Sequence, residues 1–229
     1  LAPTIVICGN HDTNLNNNNR LDALTPIIEL LGKDNLFYLR DSGVYEIGNV
    51  SITVMSLLDD PNRYIKAQDV KLEVDKKIAM YHGTIQNCET DTGMILKQGL
   101  NPDIFDKYDL VLLGDIHKRQ ILKKKPYTFY PGSLIQQNFG ESYIGHGYSI
   151  TNVDTLETTF HDIQNDYGYY TLDLTDDVVP LDLPICAKTT LRIRARNISA
   201  AQLKRVIADI RKKYKCTDIT AGIVGNQSA

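Results

Sequence analysis

Residues 4–12 read TIVICGNHD, and this stretch decides how the fold begins. Its first five residues are uncharged and mostly β-branched, which is typical of a strand buried on both faces. Gly9 then precedes an amide, an imidazole and a carboxylate, those of Asn10, His11 and Asp12. Because open α/β sheets place their sites at the carboxyl ends of strands, we expect this stretch to contribute to a site.

Two later apolar runs, residues 77–81 and 109–113, also end in groups that can bind a metal. One histidine at a strand end is more often structural than a ligand, but three such strand ends converge if the strands share a sheet. The candidate metal ligands at these ends are Asn10, His82, Asp115 and His117. Mixed oxygen and nitrogen ligands favour Mn²⁺, Fe²⁺ or Mg²⁺ over zinc.

The composition is that of an ordinary globular chain. It has 229 residues, 42% hydrophobic and 23% charged, which suffices for one substantial core and a small second domain. No apolar stretch approaches the roughly 20 residues that span a bilayer, so we expect no membrane association. The four cysteines are scattered without a C-x-x-C pair, which predicts reduced thiols and a cytoplasmic location.

Positive charge is concentrated near the carboxyl end. Residues 185–216 contain ten Lys or Arg and one acid, although the whole chain has a net charge of −3. In residues 191–196 apolar side chains alternate with three arginines, and Ser199 with Gln202 predicts a capped helix before a strand from Asp218. The arginines of this β-α-β module are Arg192, Arg194 and Arg196. Without opposing acids they favour contact with a phosphate backbone, although a solvated face stays an alternative.

We place a domain boundary where the composition changes, giving domains 1–164 and 165–229.

Within the first domain, Thr25 and Pro26 predict the start of a short helix, with Thr25 as its cap, and Gly32 predicts its end.

The motifs GNHD at 9–12, His82 and GDIH at 114–117 resemble, in this order, the later motifs of calcineurin-like metallophosphoesterases. Within that superfamily, residues 112–141 are similar to SbcD-type double-strand-break repair nucleases, and phage and viral versions come closest. The similarity runs from residue 1 to about 163, and the β-α-β module resembles the DNA-binding cap of that family. The implied fold is α/β: a four-layer metallophosphoesterase sandwich, truncated at its amino end, with a small α+β cap.

The resemblance also implies roles and cofactors. Asn10 and His82 would bind one of two Mn²⁺ ions, with Mg²⁺ or Fe²⁺ as alternatives, and His117 would bind the other. Asp115 stands where most members carry the first histidine of a Gly-His-x-His motif, and it can still ligate through oxygen. His11 matches the histidine that assists the leaving group.

Three further residues complete the predicted site. Asp12 would orient His11 or cap the following loop. Lys118 and Arg119 are predicted to contact DNA together with the three arginines of the module.

The first two motifs of the family, Asp-x-His and Gly-Asp-x-x-Asp, lie upstream of the Asn-His pair, and this sequence has no counterpart to them. Two cations about 3.5–4 Å apart need the bridging aspartate that these motifs supply. We therefore expect the polypeptide alone to be inactive or very weakly active.

The leading hypothesis is a metal-dependent DNA exo- or endonuclease subunit that acts with an SbcC-like, SMC-type ATPase, as a homodimer in the complete protein. One alternative is a metallophosphoesterase acting on another phosphoester. The other is a non-catalytic DNA-binding scaffold with a degenerate site.

Overall fold

The computed structural model describes residues 2–17, 21–176, 182–183, 185–216 and 218–223. The strands are β1 (Thr4–Val6), β2 (Leu36–Tyr38), β3 (Gly43–Ile47), β4 (Val50–Met55), β5 (Lys76–His82), β6 (Leu110–Gly114), β7 (Gln120–Lys124), β8 (Tyr127–Tyr130), β9 (Gly147–Thr151), β10 (Thr158–Asp162), β11 (Tyr167–Thr175), β12 (Lys188–Arg196) and β13 (Asp218–Ile223). The helices are α1 (Leu24–Leu31) and α2 (Ala200–Lys213), and 3₁₀ turns cover Pro61–Arg63, Ala67–Asp69 and Pro102–Phe105. The protein is mixed α/β, with one large sheet and few helices. Neither helix in these described ranges is long and apolar enough to cross a membrane.

The large sheet has six strands in the order β3-β4-β5-β6-β8-β7. Its four central strands run parallel, and an antiparallel strand closes each edge. Apolar cores cover both faces: Ala79 and Val111 are buried in one, and Ile78 and Leu110 in the other. Burial on both faces explains why β5 and β6 are unbroken apolar runs in the sequence.

β1 and β2 form a separate two-stranded parallel sheet. The prediction that the first strand is buried on both faces is wrong, because Thr4 is exposed while Ile5 and Val6 are only half-buried. This small sheet contributes no residue of β1 to the apolar cores that cover the large sheet.

The carboxyl-terminal sheet has the order β11-β12-β13, with all three strands parallel, and α2 connects β12 to β13. Alternate residues of β12 pack against α2, as Ile193 and Val206 do in their shared core. The helix begins as predicted, since Ser199 Oγ accepts the Gln202 N–H at 3.3 Å and Gln202 Oε1 accepts the Ser199 N–H at 3.0 Å. The predicted β-α-β module is confirmed.

The chain divides into two compact units. One comprises Leu1–Gly132 and Tyr148–His161, and the other comprises Ser133–Gly147 and Asp162–Ala229. Residues 133–147 thus belong to the same compact unit as the carboxyl-terminal module. The predicted domain boundary between residues 164 and 165 stays a prediction.

The start of α1 is fixed by Asp22 and not by Thr25, the predicted cap. The buried Asp22 carboxylate accepts the N–H groups of Leu24 at 3.0 Å and Thr25 at 2.7 Å, and Arg40 Nε lies 2.9 Å from it. Burial by itself would raise the pKa of Asp22, but hydrogen bonds from Thr25 and Arg40 outweigh it and hold this pKa well below its usual range. The end of α1 at Gly32 is as predicted.

We expect Asp22→Asn to lower the free energy of unfolding at pH 7 by roughly 2–4 kcal/mol, because it weakens both the cap and a largely buried ion pair. Since the folded-state pKa is below the ordinary value of about 3.9, the carboxylate stabilises the fold above that pH, and the benefit is lost as the pH falls through the folded-state pKa. Urea unfolding at pH 7 and pH 3 measures the difference, which should shrink at pH 3. Asp41→Asn is the control, since the exposed Asp41 pairs with the same Arg40 at 2.7 Å and should contribute less than about 1 kcal/mol.

Candidate functional site

The carboxyl ends of β5 and β6 place two predicted side chains side by side. The register of these parallel strands pairs His82 with Gly114, so Asp115 emerges next to His82, and His82 Nε2 lies 4.0 Å from Asp115 Oδ1. Asn10 reaches the same point from the loop after β1. Its Nδ2 donates to Asp115 Oδ1 at 2.9 Å, and its Oδ1 lies 3.3 Å from His82 Nε2. The structure therefore brings together three of the four predicted metal ligands.

The imidazole of His82 lies in a slot between two glycines. A Cβ at Gly114 would lie 2.6 Å from His82 Nδ1, and a Cβ at Gly9 would lie 3.0 Å from His82 Cε1. Contacts this short would force the ring to move, because interiors are already close-packed. The glycines that begin the two motifs thus set the position of the ring.

Asp115 has a backbone conformation that is costly for a residue with a side chain, with φ of 93°. Its carboxylate is held at both oxygens: Asn10 Nδ2 donates to Oδ1, and Thr84 Oγ1 donates to Oδ2 at 3.2 Å. Sequence reasoning missed Thr84. Its position two residues after His82, at the same strand end, was the signal that could have identified it.

The ionisable groups of both motifs act on His82. Burial lowers the pKa of His82, the carboxylates of Asp115 and Asp12 oppose that shift, and His11 and His117 add to it. All five groups therefore belong to one electrostatic cluster. The net effect favours a neutral imidazole, which is the form that binds metals.

The remaining motif residues lie around this cluster. Asp12 closes the turn after β1, since its Oδ2 accepts the Gly9 N–H at 2.9 Å and its own N–H donates to the Gly9 carbonyl oxygen at 3.1 Å. This contact corresponds to the loop-capping alternative, and a catalytic role for Asp12 stays a prediction. His11 and His117 are exposed.

Lys118 and Arg119 are held by the protein itself. Lys118 Nζ lies 2.6 Å from Glu89 Oε1. The Arg119 guanidinium lies 5.1 Å from the centre of the Phe160 ring, and its Nε lies 3.4 Å from the Pro131 carbonyl oxygen. These contacts fix the local structure, and they give no support to the predicted DNA contacts.

The predicted arginine row of β12 has a partner acid, so the premise that no acids oppose it is wrong. Arg194 pairs with Asp173, its register partner on β11, at 2.9 Å. Arg192 donates to Thr171 Oγ1 and lies 4.4 Å from the centre of the Phe139 ring. The Arg196 residue at the end of the strand is exposed.

The donor set of the cluster is small. Among the residues that the structure describes, no three His, Cys, Asp or Glu side chains form a group that could hold a metal ion. The cluster offers one imidazole and one carboxylate, with the amide oxygen of Asn10 as a third donor. Such a set fits a single cation that keeps several of its waters, as Mg²⁺ does, and its oxygen-rich character also suits Mn²⁺.

Two viral proteins are similar to the chain in sequence. The uncharacterized protein R555 of Acanthamoeba polyphaga mimivirus is 37% identical over 227 residues, which cover 96% of this chain and 17% of that protein. The putative phosphoesterase 244L of invertebrate iridescent virus 6 is 28% identical over 149 residues, which cover 62% of this chain and 49% of that protein. The chain thus spans less than a fifth of the first relative and about half of the second. No protein-family model matches the chain.

We expect Asp115→Gly to be more stable than Asp115→Ala by about 1 kcal/mol, because both variants lose the same hydrogen bonds but only alanine keeps a Cβ at positive φ. Urea unfolding of the two variants measures the difference. At Asp106, where φ is −58°, the order should reverse and the alanine variant should be the more stable. Equal stability of the two Asp115 variants would show that the backbone there is unstrained.

Proposed function

We propose that the cluster of Asn10, His82 and Asp115 binds a divalent cation and belongs to a site that hydrolyses phosphoesters. The observation that carries this proposal is the convergence of three side chains, from three separate segments, to within 4.0 Å of one another. Asp115 also has a costly backbone conformation, and such conformations cluster at active sites and ligand-binding segments. The distant similarity to a viral phosphoesterase supports the same reaction class.

A bound cation would polarise a phosphoryl oxygen and lower the pKa of a coordinated water. The residues of the chain prepare the place for it. The glycine slot fixes the His82 ring, and the hydrogen bond from Asn10 Nδ2 to Asp115 leaves the amide oxygen directed towards His82. The exposed His11 follows Asn10 directly, and we assign it the protonation of the departing oxygen.

Within this class, the substrate we favour is DNA, and the fold we favour is the metallophosphoesterase sandwich with its cap. Support comes from the basic β12 face of the second unit, where three arginines face one acid across the strand pair. A small phosphoester would not require such a surface. An SMC-type ATPase partner and a homodimer belong to the same proposal and rest on the resemblance of the motifs to SbcD-type nucleases.

The second of the two proposed Mn²⁺ ions would depend on His117. His117 is exposed, and no three His, Cys, Asp or Glu side chains of the described residues form a group that could hold a metal ion. Two-cation catalysis would therefore need further ligands for the second ion.

A non-catalytic DNA-binding scaffold is the second candidate. The small donor set favours it, because no three His, Cys, Asp or Glu side chains among the described residues form a group that could hold a metal ion. A scaffold would bind DNA through β12 and would show no cation-dependent binding of phosphate at the cluster.

We expect Mn²⁺ to bind the wild-type chain, and inorganic phosphate to bind only after Mn²⁺, because the cation supplies the positive charge that the cluster lacks. Calorimetry with Mn²⁺ first and phosphate second measures both steps. His82→Ala should weaken Mn²⁺ binding about ten-fold or more. The matched control is His161→Ala, since His161 is an exposed histidine of the same unit that stacks on Tyr148. Equal Mn²⁺ affinity in the two variants would contradict the proposed site.

The triple change of Arg192, Arg194 and Arg196 to glutamine should weaken binding of labelled DNA and flatten its salt dependence by up to about three slope units. Of the three arginines, Arg194 should contribute least to the loss of DNA affinity, because Asp173 already neutralises its charge. A triple change on the exposed side of α2 removes the same charge and serves as control: Lys204, Arg205 and Arg211 to glutamine. DNA affinity that falls equally in both triples would indicate net charge alone, and not a β12 surface.

A further inference from the structure

Residues 130–132, which we call the β8 exit, begin with the last residue of β8, a strand that supplies none of the proposed metal ligands. We propose that Tyr130 and Gly132 of this exit are positioning residues for His82 and His117, an inference that rests on the proposed metal site. β8 is the neighbour of β6 in the sheet, so its carboxyl end lies at the same edge as the site. The two residues contact different histidine segments, which makes their effects separable.

Tyr130 fixes the backbone that follows His82. Its side chain is completely buried, its hydroxyl donates to the Gly83 carbonyl oxygen at 2.7 Å, and it accepts the Ile85 N–H at 3.0 Å. The Gly83 N–H in turn donates to the Gly114 carbonyl oxygen at 3.1 Å. Gly83, the residue after His82, is therefore held at both its N–H and its carbonyl oxygen, and the contact to the carbonyl oxygen comes from a single hydroxyl of β8.

Gly132 fixes the backbone of His117. It has φ of +85°, and a Cβ there would lie 2.7 Å from the His117 carbonyl oxygen and 3.1 Å from the Arg119 N atom. Both neighbours are backbone atoms, which cannot swing aside as a flexible side chain would. The Pro131 carbonyl oxygen adds a contact to Arg119 Nε at 3.4 Å. Any side chain at position 132 must therefore displace the segment that carries His117.

The experiment compares Tyr130→Phe, Gly132→Ala and Gly145→Ala with the wild-type chain. Gly145 is the matched control because its φ is +88° and a Cβ there would meet nothing within 4 Å, so it carries the same conformational cost without the contact. The imidazole C–H resonances of the five histidines are recorded by NMR without metal and during titration with Mn²⁺.

Gly132→Ala should move the His117 resonance and weaken the broadening of that resonance by Mn²⁺, while His82 stays broadened. Tyr130→Phe should move the His82 resonance and lower the Mn²⁺ affinity about ten-fold or more, as loss of an outer support commonly does. Gly145→Ala should leave both resonances in place. If Gly132→Ala does not fold, the Tyr130→Phe comparison still tests the proposal.

Unmoved His82 and His117 resonances in folded Tyr130→Phe and Gly132→Ala would overturn the positioning roles. That result is distinct from a failure of the metal site. A wild-type chain that does not bind Mn²⁺ would refute the proposed site, yet the metal-free resonances would still show whether the β8 exit places the two histidines.

Discussion

The structure of the site depends on one close approach, that of the His82 imidazole to the backbone of Gly114. Parallel pairing of β5 and β6 brings residues at the same register position together, and here it opposes a large ring to a residue with no side chain. With a Cβ at position 114 only 2.6 Å from Nδ1, the ring and the next strand could not both keep their places.

The same arrangement explains how Asp115 can keep a backbone conformation that carries a cost. The strand ends at Gly114, the chain turns through positive φ, and the carboxylate is directed back towards Asn10 and Thr84. A hydrogen bond to a charged acceptor contributes about 1.5–3 kcal/mol to stability. Two such bonds can therefore offset a backbone strain of about 1–3 kcal/mol. The carboxylate is thus held in place by contacts that come from two other segments of the chain.

Much of this could be predicted from the sequence, and the limits have physical causes. The apolar runs over residues 77–81 and 109–113 predict buried parallel strands, and their polar ends predict a common edge, because both depend on local pattern and one general rule of α/β sheets. The pairing of Arg194 with Asp173 depends on the register of strands 21 residues apart, which no local pattern contains. Asp22 was missed as a cap for a related reason, since its burial depends on Arg40 from another segment.

The amide of Asn10 illustrates why the residue type matters at this position. A carboxylate there would face the Asp115 carboxylate at hydrogen-bond distance, and two like charges so close repel each other. The amide instead donates through Nδ2 to Asp115, and this bond settles which way its oxygen points. The amide oxygen is directed towards His82 Nε2. In the proposed metal site, one oxygen and one nitrogen that would bind the cation therefore lie next to each other. Asn10 also starts from the loop after β1, whose own sheet has only two strands, so its orientation at the site depends on the large sheet that it contacts.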